Sequence, residues 1–544
     1  MDLNDSSEDD EIYSLVFNSD NNNNYNECDI ENSDNSDNEN FVSSQINDIS
    51  DLWECDNCDA NDWLPHFDKT PGALIDIPAN PTLLFEQYFC DEFLQNILSC
   101  SNEYGLKHRD NFELINLNEL KIFIGIQILM GLKQIPQEKS HWSNDSLYKT
   151  ELISNAMTQQ RYLTIKRSMH FHNQNSDIAT MELNDPLFRV RLLLDHMPKI
   201  SQLLYQPNKE LTVDESLIGF HGKFSQAQYM PNKSHKRGIK FYVLCESSTG
   251  FMLNWHCHST NDKGTESFSE QIVLKLLEHV GEFSGHEVYT DNFYTSIPLA
   301  KSLINRNIGI TGTIRINRKG LPINFKKPFT NSEKLNKTKR GPIYMRNGKI
   351  CCVQWFDNKL VTAISTHLTK GEVQKERILS QNITSTINVP NIIRQYTKFM
   401  AGVDIYDQKL SYHHYSHRVA FWPQVVWHLI TNVSMNNCYV IYKSSTIKPM
   451  PSEAFKKQIA IRLINNTEHI NHNVFRNSCV NSKLVSIKST SRSNVMDCYI
   501  CFKDQKPRKQ TSFMCESCKK PLCAKTMDKS LSCFQKHLGY KIIA

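Results

Sequence analysis

Three segments of this 544-residue chain carry carboxylates in settings where they could do chemistry. LTVDESLIGFHG puts Asp214 in a strand-like run. VYTDNFYTSIPLA puts Asp291 at the end of another run, directly before a helical pattern. MAGVDIYDQKL puts Asp404 and Asp407 at i and i+3, on one face of a helix. Taken singly, each has a plain structural use: Asp291-Asn292 is a turn or cap signature, and Asp404 with Asp407 a solvated helix face. Taken together they sit where strand ends and a neighbouring helix meet, at one edge of an α/β sheet. Carboxylates converging there are hard oxygen ligands suited to Mg2+ or Mn2+. Two such ions about 3.5–4 Å apart can activate an attacking oxygen and stabilise the leaving one in phosphodiester chemistry.

A second constellation closes the chain: Cys498-x2-Cys501-x13-Cys515-x2-Cys518-x4-Cys523-x9-Cys533-x3-His537. Paired cysteines at this spacing signal Zn2+, and about fifty residues can scarcely build a core unaided. The pairing stays open. In an interleaved arrangement Cys515, Cys518, Cys533 and His537 complete one site, and Cys498, Cys501 and Cys523 need a fourth ligand. The alternative is a ribbon-like site of Cys498, Cys501, Cys515 and Cys518. The pair Cys55-x2-Cys58 has no second pair nearby and reads as incidental. The remaining cysteines are scattered and read mostly as buried small hydrophobes.

The elements that must position these groups follow from periodicity. Apolar residues at helical spacing predict helices over 81–100, from about Leu117 with Asn118 as cap, over 155–171 and over 187–205. The pattern then turns strand-like at 211–220, 239–246 and 251–258, the last two joined by a turn at Ser247–Gly250. A helix at 265–280, a strand at 286–290, a helix at 296–306 and a strand at 308–314 follow. Three antiparallel strands and then α-β-α-β is the order of a ribonuclease H-like α/β core. Strand-like pieces recur at 350–356 and 360–366. Helices are expected over 395–413 and 421–443, and a Ser/Lys/Asn-rich linker composition runs from about 445 to 495.

The net charge of +3 hides two unlike parts. Residues 1–62 hold 13 Asp, 6 Glu and no Lys or Arg, a charge of −19, and the rest sets 61 basic against 39 acidic residues, a charge of +22. A basic body behind an acidic tail points to a polyanion partner. The tail, rich in Asn, Asp and Ser to about residue 75, cannot bury enough apolar surface to fold and reads as disordered. Lys233, His235, Lys236, Arg237 and Lys240 follow the first carboxylate strand. Nine Lys/Arg lie in 315–340, among them Arg315, Arg318 and Lys319. Both groups fit the phosphate contacts of a DNA path. Basic clusters at 503–509 and 519–525 add DNA contacts or a nuclear signal. No secretory signal and no stretch able to span a bilayer is read, so the expectation is an intracellular protein without a membrane partner.

LTVDESLIGFHGKF, MPNKSHKRGIKFYVL, YTDNFYTSIPLA and MAGVDIYDQ, in this order and at this separation, resemble the piggyBac transposase family over roughly residues 78–440, plus the terminal cysteine module. The resemblance implies a nuclear, metal-dependent DNA transposase of DDE/DDD type. Its three catalytic Asp match Asp214, Asp291 and Asp404, and a further functional Asp matches Asp407. Beside the disordered acidic region at 1–77 that composition gives, it implies a helical dimerisation and DNA-binding domain split between 78–209 and 414–480. It also implies a ribonuclease H-like catalytic domain at 210–413, with an inserted β-rich domain at about 315–395. A linker at 481–495 and a zinc-binding module at 496–544 complete the plan. Partners implied are transposon terminal repeats, a TTAA target and a second copy of the chain. The family cuts through a hairpin intermediate, inserts at TTAA and can excise without a scar. Some relatives carry a His three positions after the equivalent of Cys523. Thr526 stands there in this chain, which leaves the second zinc open. The terminal module implies binding to the element's end DNA, with a protein-interaction role of PHD or RING type as the alternative. For the whole chain the alternative is a host-recruited DNA-binding protein derived from such a transposase and no longer mobile.

Overall fold

The computed structural model describes residues 53–55 and 63–465, except 79, 174–177, 232, 263–266, 279–283, 327–340, 358, 380–382, 416, 418, 445 and 447. It also describes four short strands between 484 and 515. Residues 1–466 and 467–544 are two separate units.

The first unit begins with helices. Helix α1, Pro81–Tyr88, opens with Pro at its start, where the missing N–H costs nothing, and the Asn80 side chain accepts from Thr82 N at 3.1 Å. The single helix expected over 81–100 is two: the chain straightens at Cys90, and α2 spans Asp91–His108. Asp91 and Glu92 put negative charge at the new N-terminus, where the helix dipole favours it. Helix α3 spans Leu117–Leu132. Its cap is Asn116, not Asn118: Asn116 and Glu119 form a reciprocal capping box. Helices α4 (Glu151–Ala156) and α5 (Gln159–Ser168), the short helix Ile178–Asn184 and α6 (Arg191–Leu204) complete the first helical part.

The sheet follows: β1 (Glu210–Gly219), β2 (Arg237–Glu246), β3 (Met252–Cys257), helix α7 (Phe268–Glu278), β4 (Glu287–Thr290), helix α8 (Ile297–Ile304) and β5 (Gly309–Thr313). Strands β1, β2 and β3 pair antiparallel, while β4 runs parallel to β1 and β5 parallel to β4. The order β3-β2-β1-β4-β5 is the ribonuclease H-like arrangement expected from the element order. Beyond β5 the sheet continues antiparallel through β8 (Leu360–Ser365), β7 (Ile350–Phe356) and β6 (Ile343–Asn347). The segment assigned to an insertion thus adds three strands to the core sheet. A separate hairpin, β9 (Glu372–Leu379) with β10 (Ile383–Pro390), follows.

The helix expected over 395–413 is again two, α9 (Asn391–Phe399) and α10 (Gly402–Ser411). Helix α11, Trp422–Ser444, is buried along most of its length. Its Asn437 is a polar link between layers. The amide donates to Met252 O at 2.9 Å, Ser201 Oγ at 3.1 Å and Tyr88 OH at 3.2 Å, and accepts from Met252 N at 3.0 Å. Part of the stretch read as linker is helix α12, Ser452–Asn465, with Phe455, Ile459, Ala460 and Leu463 buried. Trp53 and residues 63–77, read as part of an unfolded tail, also lie on the core. Gly72–Ala73 pairs with Tyr205–Gln206, Phe67 packs edge-on against His286, and Trp53 Nε1 donates to Gly320 O at 3.0 Å. A bare composition argument misses them because a few aromatics anchor an otherwise polar segment. Cys245, Cys257 and Cys438 are buried thiols.

In the second unit Leu484–Ser486 pairs with Phe513–Cys515, and Met496–Asp497 with Gln510–Thr511. Among the described residues no helix is long and apolar enough to cross a membrane.

Candidate active site

Two of the four predicted carboxylates meet through strand register. Val213 on β1 is the parallel partner of Thr290, the last residue of β4. The next residue of each strand is Asp214 and Asp291, so sheet pairing alone brings them side by side. Asp291 also begins a turn: its Oδ1 accepts from Phe293 N at 2.9 Å and Tyr294 N at 3.4 Å. Ser296 then caps α8, accepting from Leu299 N at 3.1 Å. Asp291 therefore serves both as turn former and as site residue. The neighbouring Glu215 joins them. One ligand oxygen each of Asp214, Glu215 and Asp291 lie within 4.8 Å of one another, the one such group of three among the described residues.

Asp404 and Asp407 stand outside that group but are docked beside it. The Gly402 Cα faces the sheet so closely that a Cβ there would lie 2.9 Å from Ser247 Cα and 2.9 Å from Thr212 Oγ1. Gly250, at φ +63° in the turn after β2, lets the chain pass under the first turn of α10. Thr212 Oγ1 donates to Phe399 O at 2.6 Å, and Lys409 Nζ to Thr249 O at 2.5 Å. Ser216 Oγ donates to Asp407 Oδ1 at 2.5 Å. Ser216 and Asp214 share one face of β1, so Asp407 is tied to the face that carries Asp214.

Two lysines enter the cluster. Lys240 Nζ pairs with Glu215 Oε1 at 3.1 Å and lies 4.6 Å from the Tyr242 ring centre. Lys233 Nζ donates to the Glu215 carbonyl at 2.8 Å. Both were predicted as DNA contacts, and both are turned inward. Lys236 and Arg237 remain exposed, as do Arg315 and Lys319. Arg315 Nε donates to Asn292 Oδ1 at 3.0 Å and Arg318 Nη2 to Phe293 O at 2.5 Å, so both arginines brace the turn that begins at Asp291.

The electrostatics match a carboxylate cluster out of full contact with water. Burial raises the Asp214 carboxyl well above the usual range, and the hydrogen bond and charge of Glu215 and the charge of Asp291 add to it. Burial and the Glu215 charge push Asp291 up to about 6, against the opposing backbone N–H groups of Phe293 and Tyr294. Burial also lifts Asp407 to about 6, although Ser216 and Lys233 pull the other way, and it raises Asp404. Burial works against the Glu215 charge too. There the Asp214 hydrogen bond, Lys240 and Lys233 prevail and hold Glu215 below its ordinary value. Such an assembly favours a cation in its midst.

Glu215 was missed in the sequence because regular strand alternation would turn it away from Asp214, whereas in the structure the two carboxylates meet. The available signal was the Asp-Glu pair itself, with a lysine to come on the adjacent strand. Cys498, Cys501, Cys518, Cys523, Cys533 and His537, expected from the sequence to bind zinc, lie outside the described residues. Only the backbone of Cys515 is described, at the end of its strand.

A family model described as Transposase IS4 matches residues 80–439. PiggyBac transposable element-derived protein 3 of Homo sapiens is 24% identical over 412 residues, 73% of this chain and 67% of that protein. PiggyBac transposable element-derived protein 5 of Homo sapiens is 22% identical over 406 residues, 70% of this chain and 74% of that protein. A cryo-EM structure of a piggyBac transposase synaptic complex with hairpin DNA superposes with a TM-score of 0.62 at 23% identity, covering 84% of this chain and 98% of the matched chain. At that identity the superposition speaks to the fold.

Proposed function

The chain belongs to the transposase IS4 family, among its piggyBac-type members, and on that premise we propose that it cuts and joins DNA at transposon ends. The observation that carries the proposal is the meeting of Asp214 and Glu215, midway along β1, with Asp291 at the end of β4, and the tie of Asp407 to Ser216 on the Asp214 face. The donors fit a hard divalent ion such as Mg2+ or Mn2+: all are carboxylate oxygens, and burial has raised several of their pKa values. Asp214, Glu215 and Asp291 would hold one ion, and Asp404 with Asp407 would hold or support a second. Bound there, the ions supply the activated oxygen and stabilise the departing 3′ oxygen of phosphodiester chemistry.

The chain's own residues do the rest. Arg315 and Arg318, braced on the Asp291 turn, lie where a phosphate would have to pass. Exposed Lys236, Arg237 and Lys319 extend that basic surface and hold the backbone without reading sequence. Insertion at TTAA and passage through a hairpin come from the family resemblance and belong to the same proposal. The test is excision of a reporter flanked by the element's own ends. Precise excision supports the proposal, and its absence with folded, DNA-binding protein overturns it.

One observation favours a second reading. The human relatives are named as derived from transposable elements, which suits a recruited DNA-binding protein. Under that reading excision fails while binding to specific DNA persists. Zinc in residues 496–544, assembly as a homodimer and residence in the nucleus complete the proposal. Elemental analysis, analytical ultracentrifugation and imaging of the tagged chain test them in turn, and a metal-free monomer outside the nucleus would overturn all three.

A further inference from the structure

Four carboxylates of the cluster are each tied to the protein through one oxygen. Asp214 Oδ1 accepts from Glu215 N at 2.8 Å. Asp291 Oδ1 accepts from Phe293 N at 2.9 Å and Tyr294 N at 3.4 Å. Asp407 Oδ1 accepts from Ser216 Oγ at 2.5 Å, and Glu215 Oε1 from Lys240 Nζ at 3.1 Å. In each case the other oxygen is left for a neighbour in the cluster or for an ion. The donors to Asp214 and Asp291 are backbone N–H groups and the donor to Asp407 is a hydroxyl. Glu215 alone among these four is held by a long charged side chain.

That side chain is firmly mounted. In the register of β1 and β2, Lys240 stands opposite Leu217 and Tyr242 opposite Glu215, so the ammonium reaches Glu215 across the diagonal. It lies 4.6 Å from the Tyr242 ring centre and 5.6 Å from that of Phe293, the residue whose N–H bonds to Asp291. The Lys240 and Glu215 side chains are each 13% exposed. An ammonium set against two rings and a carboxylate, with little access to water, holds its position. Its effect on a metal site follows from ligand counting. An ionised carboxylate can give a cation one oxygen or both. Ca2+ gathers about six to eight oxygens in flexible geometry and readily takes both from one carboxylate, whereas Mg2+ demands a near-ideal octahedron. Mn2+ belongs with the octahedral oxygen sites too. A donor that occupies one oxygen of a ligand therefore bears on which ion fits.

We propose that Lys240 is a positioning residue that sets ion selectivity: by holding Glu215 Oε1 it leaves Glu215 a single oxygen for metal, which suits Mg2+ or Mn2+ and disfavours Ca2+. The proposal rests on the metal-dependent reading above. It concerns the group Asp214, Glu215 and Asp291, where the backbone ties on the two Asp impose the same limit.

The experiment titrates Ca2+ into the full chain loaded with Mn2+ and follows released Mn2+ by electron paramagnetic resonance. The readout is the ratio of Ca2+ to Mn2+ affinity. Losing the Lys240 charge tightens both ions, but they carry equal charge, so that effect leaves the ratio nearly unmoved. Asp291→Asn gives the ions bound elsewhere on the chain. In Lys240→Met the ratio should shift towards Ca2+ by about tenfold or more, the scale on which partners of metal ligands act. Lys240→Arg keeps an N–H donor on Glu215 and should keep the wild-type ratio. Adding Glu215→Gln to Lys240→Met should remove the shift, because Lys240 acts through Glu215. A wild-type ratio in Lys240→Met, or a shift that survives Glu215→Gln, overturns the proposal while the metal centre stands. If Asp291→Asn binds Mn2+ as wild type does, the metal reading falls and takes the proposal with it. Should Lys240→Met not fold, Phe293→Leu removes one ring from the ammonium and should shift the ratio the same way by about twofold to fivefold. An unchanged ratio there overturns the proposal.

Discussion

Gly402→Ala sets two effects of opposite sign against each other. Alanine is better than glycine in a helix by up to about 1 kcal/mol, so an exposed first turn would gain stability. Gly402 is not exposed: a Cβ there would lie 2.9 Å from Ser247 Cα, 2.9 Å from Thr212 Oγ1 and 3.1 Å from Glu246 O. Carbon contacts relax at roughly 3.5–4.0 Å, so α10 must retreat by about 0.5–1 Å. Two of the three contacted atoms are backbone, and Thr212 Oγ1 is pinned by its bonds to Phe399 O and Ser247 Oγ, both 2.6 Å. Overpacking of this kind costs about 1–3 kcal/mol, which outweighs the propensity gain and leaves a net loss of roughly 0.5–2 kcal/mol. The same retreat carries Asp404 and Asp407 away from Asp214. A displacement of about 1 Å is worth on the order of a hundredfold in rate when it misplaces a reacting group. Strand cleavage of an end duplex, the thermal midpoint and the Kd for that duplex separate the terms. Cleavage should fall far more than the midpoint, and the Kd should hardly move. A Gly402→Ala protein that is more stable than wild type and cleaves at the wild-type rate would refute the reasoning.

Three further outcomes are expected. In chelator, Asp407 titrates near 6 in the folded chain against about 3.9 unfolded, so the folded state holds the extra proton between those values. Its contribution is present below about pH 4 and lost as pH rises through about 6, by roughly 1–3 kcal/mol. Asp407→Asn should therefore gain stability relative to wild type from pH 4 to 7 in denaturant melts, and parallel curves would contradict this. Residues 1–52 hold 10 Asp and 5 Glu, and the residue that follows, Trp53, bonds to Gly320 beside the basic Arg318 and Lys319. Deleting 1–52 should raise nonspecific DNA affinity at low salt, and unchanged affinity would leave the tail no part in it. Cys515→Ser should lower both zinc content and end-DNA binding; binding unchanged in a gel shift would favour a protein-interaction role for the module.

The strand order of the core and the placement of Asp214 and Asp291 were legible because both depend on local pattern. Alternating apolar runs mark β1 and β2, and the register that joins β1 to β4 carries the two Asp together. Breaks within long helical patterns were not legible: periodicity runs through Phe89-Cys90 and Met400-Ala401, where tertiary packing turns the chain. The capping box of Asn116 and Glu119 was visible as N-x-x-E and was missed by two residues. The hairpin Glu372–Pro390 is polar along much of its length and gives little strand signal. Helix α12 was hidden by the linker-like composition around it, although Phe455, Ile459 and Leu463 keep helical spacing. The inward turn of Lys233 depends on a loop fold that no pattern encodes.

The account turns on Asp291 as a ligand of the metal that cleaves DNA, while the basic surface holds it. Asp291→Asn keeps the turn-forming side chain and removes the charge. Measured on a transposon-end duplex in Mg2+, it should abolish strand cleavage and leave binding of the duplex nearly intact. Cleavage at the wild-type rate by that variant would contradict the central claim.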